Sequence, residues 1–322
     1  MERNSWGRYG VTDKRRTRAL VIGSMGNIGK PLVRHLKTAG YDLLEADIRP
    51  GFREGYLVAD INEPFDLLPA FDWEPDVVFM LAGVVGRQVS EQAASLTMTT
   101  NVAGLGNVLQ LCLRAGSRLV YFSSSEVYGT QEGMMDEATS TPRPNNRYAL
   151  SKWLGEQLVG YEVQYHGLQA VVLRPFTIYD EDEDVGDHRS AMIRFASDLA
   201  NGRSIDVHRG AARGWLHISD AVRAIEAAGR LREYAVINIG HPDITQTVVL
   251  AEQIRAELGA DTALVRLRDL PTQMTLLKRP SLQRQSTLLG FSPSVPLALG
   301  IAWVCAKQHA RLSAAAALTP TS

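Results

Sequence analysis

Tyr148 and Lys152 sit four positions apart in NNRYALSK, residues 145–152, with no helix breaker between them. Four residues along an α-helix bring side chains onto one face, so the phenol and the ammonium can share one cleft. A phenol ionises near pH ~10, too high for a ready base. A neighbouring positive charge favours the phenolate. Such a pair can take a proton from an alcohol. Upstream, YFSSSEVYG places Ser123, Ser124 and Ser125 directly after a short apolar run. A hydroxyl there can orient a reacting oxygen.

A second constellation could hold an anion. Gly23, Gly26 and Gly29 fall in GSMGNIG, directly after RALVI and at a helix start. Glycine permits a tight turn and lets backbone approach a pyrophosphate, and the helix start presents free N–H groups. The spacing is G-x-x-G-x-x-G. Asp47 ends YDLLEAD, roughly where an acidic residue takes adenosine ribose hydroxyls. A carboxylate there repels a 2′-phosphate and favours NAD, whereas nearby Arg49 could pair with such a phosphate. Asp60 in VADIN is a candidate adenine contact, or a solvated loop acid.

These residues need a frame. RALVIG, YDLLEAD, DVVFMLAG, RLVYFSS and LQAVVLRPF read as short strands. Helical stretches alternate with them, among them NNRYALSKWLGEQLVGYEVQYHG. This alternation implies βαβ units and an α/β fold, a Rossmann-type doubly wound parallel sheet covered on both faces. Ligands bind such sheets at the carboxyl ends of the strands. Beyond residue 176 the regularity weakens, which suggests a smaller C-terminal α/β substrate-binding lobe. The expected division is a flexible leader 1–17, a dinucleotide-binding domain 18–176, a lobe 177–312 that returns some elements to the sheet, and a loose tail 313–322.

Composition narrows the class. The 322 residues are 45% hydrophobic and 21% charged, with net charge −1. That is the balance of a globular protein, with no global positive field for nucleic acid or an anionic membrane. Cys112 and Cys305 lie in apolar stretches and read as buried thiols in a reducing cytoplasm. No apolar run approaches ~18 residues, so no membrane span is expected. No Cys/His cluster appears, so no metal is expected.

Taken in order, G-x-x-G-x-x-G, the serines ahead of VYG, Y-x-x-x-K, RPF and an arginine before an aromatic–His segment resemble the extended short-chain dehydrogenase/reductase family. The resemblance spans roughly residues 18–300. Its members include nucleotide-sugar epimerases, dehydratases and decarboxylases. It implies an NAD-dependent nucleotide-sugar 4-epimerase working through a transient 4-keto sugar. Tyr148, Lys152 and Ser124 would be catalytic, with Ser125 the rival serine. Glu126 occupies the position where related dehydratases and decarboxylases carry a glutamate that acts on substrate. The alternatives are therefore a 4,6-dehydratase or a UDP-uronic acid decarboxylase using Glu126. From another class comes a non-catalytic NAD(P)-binding redox sensor.

The expected NAD site comprises Gly23, Gly26, Asn27, Ile28, Gly29, Asp47, Asp60, Ile61, Leu81, Ala82, Gly83 and Asn101, together with Tyr148 and Lys152. Arg213 in RGWLHISD matches the family arginine that binds the sugar-nucleotide diphosphate, and Arg279 in KRPS resembles a second. Arg87, Ser124, Ser125 and Thr177 are candidate sugar contacts. The partner is a nucleotide-diphosphate sugar. A homodimer is implied, through helices spanning 101–113 and 148–165. Met80 and Thr177 replace a histidine and an asparagine common among relatives. The acidic loop YDEDEDVGDH is expected to face water, with His188 and Arg189 at its border as phosphate candidates. His217, beside Trp215, reads as a packed structural residue.

Overall fold

Alternate residues of the first apolar run face opposite ways, as a strand buried on both faces requires. In β1 (Arg18–Ile22), Ala19 and Val21 pack into one apolar cluster, Leu20 and Ile22 into another. The computed structural model describes residues 15–131, 133–184, 190–269 and 277–318, with backbone only from 315. Residues 1–14 of the leader expected at 1–17, loop residues 185–187, and His188 and Arg189 lie outside the described residues.

From β1 the chain runs through α1 (Gly29–Thr38), β2 (Asp42–Asp47), β3 (Tyr56–Val58), α2 (Pro64–Asp72), β4 (Val77–Met80), α3 (Arg87–Gln92) and α4 (Ala94–Met98). A π-helical turn, Thr99–Gly104, leads into α5 (Leu105–Ala115) and β5 (Arg118–Phe122). There follow β6 (Met134–Met135), α6 (Arg147–His166), β7 (Ala170–Pro175), β8 (Thr177–Tyr179), α7 (Ala191–Ala200), β9 (Ile205–His208), β10 (Ala212–His217) and α8 (Ile218–Arg230). The chain ends with β11 (Ala235–Ile239), β12 (Ile244–Gln246), α9 (Thr247–Leu258), β13 (Val265–Arg268), β14 (Leu277–Pro280), α10 (Gln283–Leu289) and α11 (Leu297–Leu318).

Seven strands form one parallel sheet in the order β11-β7-β5-β4-β1-β2-β3. The strand order reverses between β1 and β4, which places the ligand crevice outside the carboxyl ends of those two strands. One face is covered by α1 and α8, the other by α2, α5 and α6. β11 and α8 thus return from the later sequence to complete the sheet and its cover. A second sheet, β12-β10-β14-β6 with β8 also on β10, stands beside it. Residues of α7, α9 and α11 bury a third apolar cluster around Trp215 and Tyr179.

The two ends of α6 are fixed locally. Asn146 caps its start by accepting from the Ala149 N–H at 2.9 Å, and Gly167 ends it in the left-handed conformation at φ 72°. Gly155 lets the helix lie against β5, because a Cβ there would come within 2.2 Å of the Tyr121 hydroxyl. The helix α11 continues through Leu318, into the stretch expected to be a loose tail. Its alanine run is a strong helix former, which the weak hydrophobic pattern of the tail concealed.

Candidate active site

The glycine turn lies at the crevice. Gly23 has φ +88°, a Cβ on it would stand 2.6 Å from the Ala82 nitrogen, and one on Gly29 would stand 2.1 Å from the Gly23 carbonyl. Only a turn bare of side chains closes this tightly, and the bare backbone is what a pyrophosphate needs. Ser24, inside the turn, has a buried hydroxyl with no hydrogen-bond partner among the described residues. Asp47 holds the turn from β2 by accepting the Met25 N–H at 2.8 Å and the Arg49 N–H at 3.1 Å. The Arg49 guanidinium is bound to the Met25 carbonyl at 2.8 Å. These residues fit a dinucleotide.

Asp60 turns its carboxylate back on its own loop, accepting from the backbone and side chain of Asn62, both at 2.9 Å. Ile61 is buried against Gly104. Leu81 and Ala82 leave β4 with their N–H groups on the Ile22 carbonyl. Asn101, in the π-helical turn, accepts from the Val84 N–H at 2.7 Å and donates to the Val84 carbonyl and the Ser151 hydroxyl, each at 2.9 Å. It thereby pins the loop after Gly83 to α6.

The three serines separate by role. Ser123 faces inward and donates to Glu156 at 2.5 Å, within a buried ion pair of Glu156 and Arg174. Ser124 stands next to the Tyr148 phenol and accepts from the Glu126 N–H at 3.1 Å. Ser125 begins a buried 3-10 turn, Ser125–Tyr128. Burial pushes the Tyr148 phenol up to about 12; the Ser124 hydroxyl beside it opposes this and the Glu126 charge adds to it. The Lys152 ammonium, which burial lowers to about 8, donates to the Phe122 carbonyl at 2.8 Å and lies over the Tyr121 ring.

Beside the phenol is a cluster of charge. One oxygen of Glu126 meets Arg87, at 2.6 Å from Nε and 2.5 Å from Nη2. Its other oxygen meets the Lys278 ammonium. Burial alone would raise the Glu126 pKa, but the Lys278 and Arg87 charges outweigh it and hold the carboxyl at about 2. Arg213 stands opposite Lys278 in the register of β10 and β14. Its Nη1 is buried without a hydrogen-bond partner among the described residues. Thr177, half-buried at the start of β8, pairs with Trp215.

Two expectations need correction. Arg279 is exposed, and it is Lys278 that points into the cluster. Successive side chains of a strand alternate faces, so a motif shifted by one residue names the wrong one. The acidic loop turns to water only at Asp182 and Asp184 among its described residues. Asp180 is buried, Glu181 accepts from His217 at 2.8 Å, Asp182 pairs with Lys307 at 2.6 Å, and Glu183 accepts from Asn27 of the glycine turn at 3.2 Å. Local charge density suggested a solvated loop, but partners far along the chain draw it in. His217 is buried, with its other ring nitrogen 2.7 Å from the Ser219 hydroxyl.

Frame and site together define a dinucleotide-dependent enzyme of the doubly wound class. The chain belongs to the NAD dependent epimerase/dehydratase family, whose model matches residues 19–240. It is similar to the UDP-glucose 4-epimerase of Mycolicibacterium smegmatis, 26% identical over 304 residues covering 88% of this chain and 96% of that one. It is also similar to a UDP-N-acetyl-alpha-D-glucosaminuronate decarboxylase of Bacillus cytotoxicus, 28% identical over 261 residues, covering 74% and 79% of the two chains. In fold it matches the UDP-glucose 4-epimerase of Thermus thermophilus in complex with NAD, at a TM-score of 0.79 and 23% identity, over 91% of this chain and 99% of that one. The protein is thus an NAD-dependent sugar-nucleotide epimerase/dehydratase of the extended short-chain dehydrogenase/reductase type, and NAD is its cofactor. No helix among the described residues is long and apolar enough to cross a membrane.

Proposed function

We propose that the protein is a nucleotide-sugar 4-epimerase. The chemistry NAD supplies is acceptance of a hydride from C4 and its return. Tyr148 takes the proton of the C4 hydroxyl and later gives it back. Ser124 holds that oxygen in line with the phenol. Lys152 and Asn101 fix the walls around them, and Arg213 takes the substrate diphosphate. The single observation carrying this reading is the placing of the Ser124 hydroxyl next to the Tyr148 phenol, just past the carboxyl end of β5, where Lys152 donates to the Phe122 carbonyl at 2.8 Å. Glu126 supports epimerisation over dehydration: its two oxygens are engaged by Arg87 and Lys278, so it is not free to draw a proton from C5.

A second reading is a decarboxylase that oxidises C4 of a uronic acid and then loses carbon dioxide. The cations around Glu126 favour it, as does the decarboxylase among the relatives. Incubation with UDP-, dTDP- and GDP-sugars, followed by mass and by NMR, tests both. Unchanged mass with inverted C4 supports the epimerase, loss of carbon dioxide the decarboxylase, and loss of water contradicts both. We also propose a homodimer. Leu150, Leu154, Tyr161 and Tyr165 stand exposed along α6, an apolar stripe that a second copy would cover. Sedimentation of wild type and Leu154→Glu tests it, with the variant expected to be monomeric.

A further inference from the structure

One buried ion pair, Glu156 with Arg174, lies against the serine row and takes no part in the proton transfer. Tyr148, Lys152 and Glu156 follow one another at four-residue intervals along α6, so they run down one side of the helix. That side meets the end of β5 residue by residue. Tyr148 stands next to Ser124. Lys152 donates to the Phe122 carbonyl at 2.8 Å, and Glu156 accepts from the hydroxyl of the next residue, Ser123, at 2.5 Å. An ammonium and a carboxylate are thus held on consecutive residues of the chain. Lys152 lies on the β4 side of β5, its Nζ 3.6 Å from where a Cβ on Gly83 would stand. Arg174 reaches the carboxylate from β7, on the other side of β5, with Nε at 2.9 Å and Nη2 at 2.6 Å. Arg174 is held in turn by donating to the Tyr128 hydroxyl at 2.9 Å.

We infer that Glu156 is a positioning residue that keeps Lys152 in its ammonium form, and through that ammonium favours the phenolate of Tyr148 during proton transfer. This rests on the C4-oxidation reading above and holds whether the 4-keto sugar is reduced or decarboxylated. Lys152 is 4% exposed, and removing an ammonium from water favours its neutral form. The groups packed round it from other elements are the Tyr121 ring of β5, 5.3 Å from Nζ, the Phe122 carbonyl, and Gly83 with Asn101 beside it. None of these carries a charge at neutrality. The Glu156 carboxylate, on its own helix, favours the charged form against burial. Ser123 and Arg174 hold that carboxylate at a fixed place, and Arg174 does so from the side away from Lys152.

Lysine side-chain NMR titration of the full-length protein reads the ammonium directly, through the signal absent in Lys152→Met. In Glu156→Gln its midpoint is expected to fall by at least about one pH unit, and in Glu156→Asp to stay close to wild type. On the holoenzyme, the alkaline fall of kcat/KM with UDP-glucose and with UDP-glucuronic acid is expected to move to lower pH by the same amount. A residue that only supported the fold would lower kcat/KM by one factor at every pH and leave that limb in place. Glu156→Gln strands the buried Arg174 charge, so Glu156→Gln combined with Arg174→Met, which removes both charges together, repeats the test in a chain expected to fold, with the midpoint and the limb displaced in the same direction. A Lys152 midpoint unmoved in these variants overturns the inference and leaves the C4-oxidation reading standing. So does a limb that stays in place while the midpoint falls. A midpoint that falls as expected, in a protein that converts no sugar nucleotide, upholds the charge relation and overturns the C4-oxidation reading.

Discussion

Lys278 and Arg279 are neighbours on β14 that face opposite ways. The Lys278 ammonium is buried on Glu126, near the Tyr148 phenol, whereas Arg279 is exposed at an open surface hollow with Pro242, Asp243 and Ile244. One position on a strand therefore separates a residue that sets the charge of the site from one that does not touch it. Lys278→Met should reduce turnover of the preferred substrate by at least about tenfold, the scale of one charge-assisted contact. Arg279→Met should leave it nearly unchanged. Steady-state kinetics on the two variants checks this.

Glu126 makes a pH-dependent contribution to stability. Its folded pKa is about 2 against an ordinary 4.5, so the contribution is present above pH 4.5 and lost as pH falls toward 2. Glu126→Gln leaves Lys278 buried without its anion and should destabilise the fold by about 3–5 kcal/mol near neutrality. In urea unfolding, the gap between wild type and Glu126→Gln should narrow as pH falls below 4.5. A gap independent of pH would contradict the ion pair.

Lys152 follows pH in the same direction, although here folding penalises the charged form. Its folded pKa is lowered by burial to about 8 against 10.5, so the unfolded chain binds its proton more tightly. The contribution of this group to stability is then present above pH 10.5 and lost as pH falls through 8. The Tm of Lys152→Met relative to wild type, both without cofactor, should accordingly drop as pH rises from 8 to 10.5. A constant difference would show that burial of the ammonium carries no cost.

The serine row gives separable outcomes. Ser124→Ala removes the hydroxyl on Tyr148 and should lower kcat about 10²-fold, with the larger loss, about 10²- to 10⁴-fold, in Tyr148→Phe. Ser123→Ala breaks a bond to the buried Glu156 carboxylate and should cost about 1.5–3 kcal/mol of stability instead. Parallel kinetics and urea titrations distinguish the two positions.

The turn at Gly29 admits no side chain. Gly29→Ala would press a methyl group onto the Gly23 carbonyl, and the cradle would open. NAD released from the purified variant by heat should fall to a small fraction of the wild-type amount. Retention of a full complement would move the pyrophosphate elsewhere.

The parallel sheet, the glycine turn and the Tyr148–Lys152 spacing were legible because each rests on local pattern: buried runs, a bare turn before a helix, and one helical face. The serine register was not, since SSSEV gives three identical side chains and only tertiary contact sends Ser123 to Glu156 and Ser124 to Tyr148. Lys278 left no motif. Its role depends on β14 lying parallel to β10, in a pairing that joins Arg213 with Lys278 from far along the chain. The buried part of the acidic loop escaped notice for the same reason. Glu183 and Asn27 meet across 156 residues, and nothing in either neighbourhood signals the other. The alternation of faces along LKRP was the one sequence cue that could have preferred Lys278 over Arg279.

Tyr148 and Ser124 are assigned to open a redox step at C4 of a sugar nucleotide, and every other role rests on that assignment. Quenching the holoenzyme during turnover with sodium borodeuteride, then locating deuterium in the recovered sugar by NMR, tests it most directly. Deuterium at C4 in wild type, and none in Tyr148→Phe, is the expected result. Deuterium at another carbon, or sugar converted with none trapped at any quench time, would contradict it.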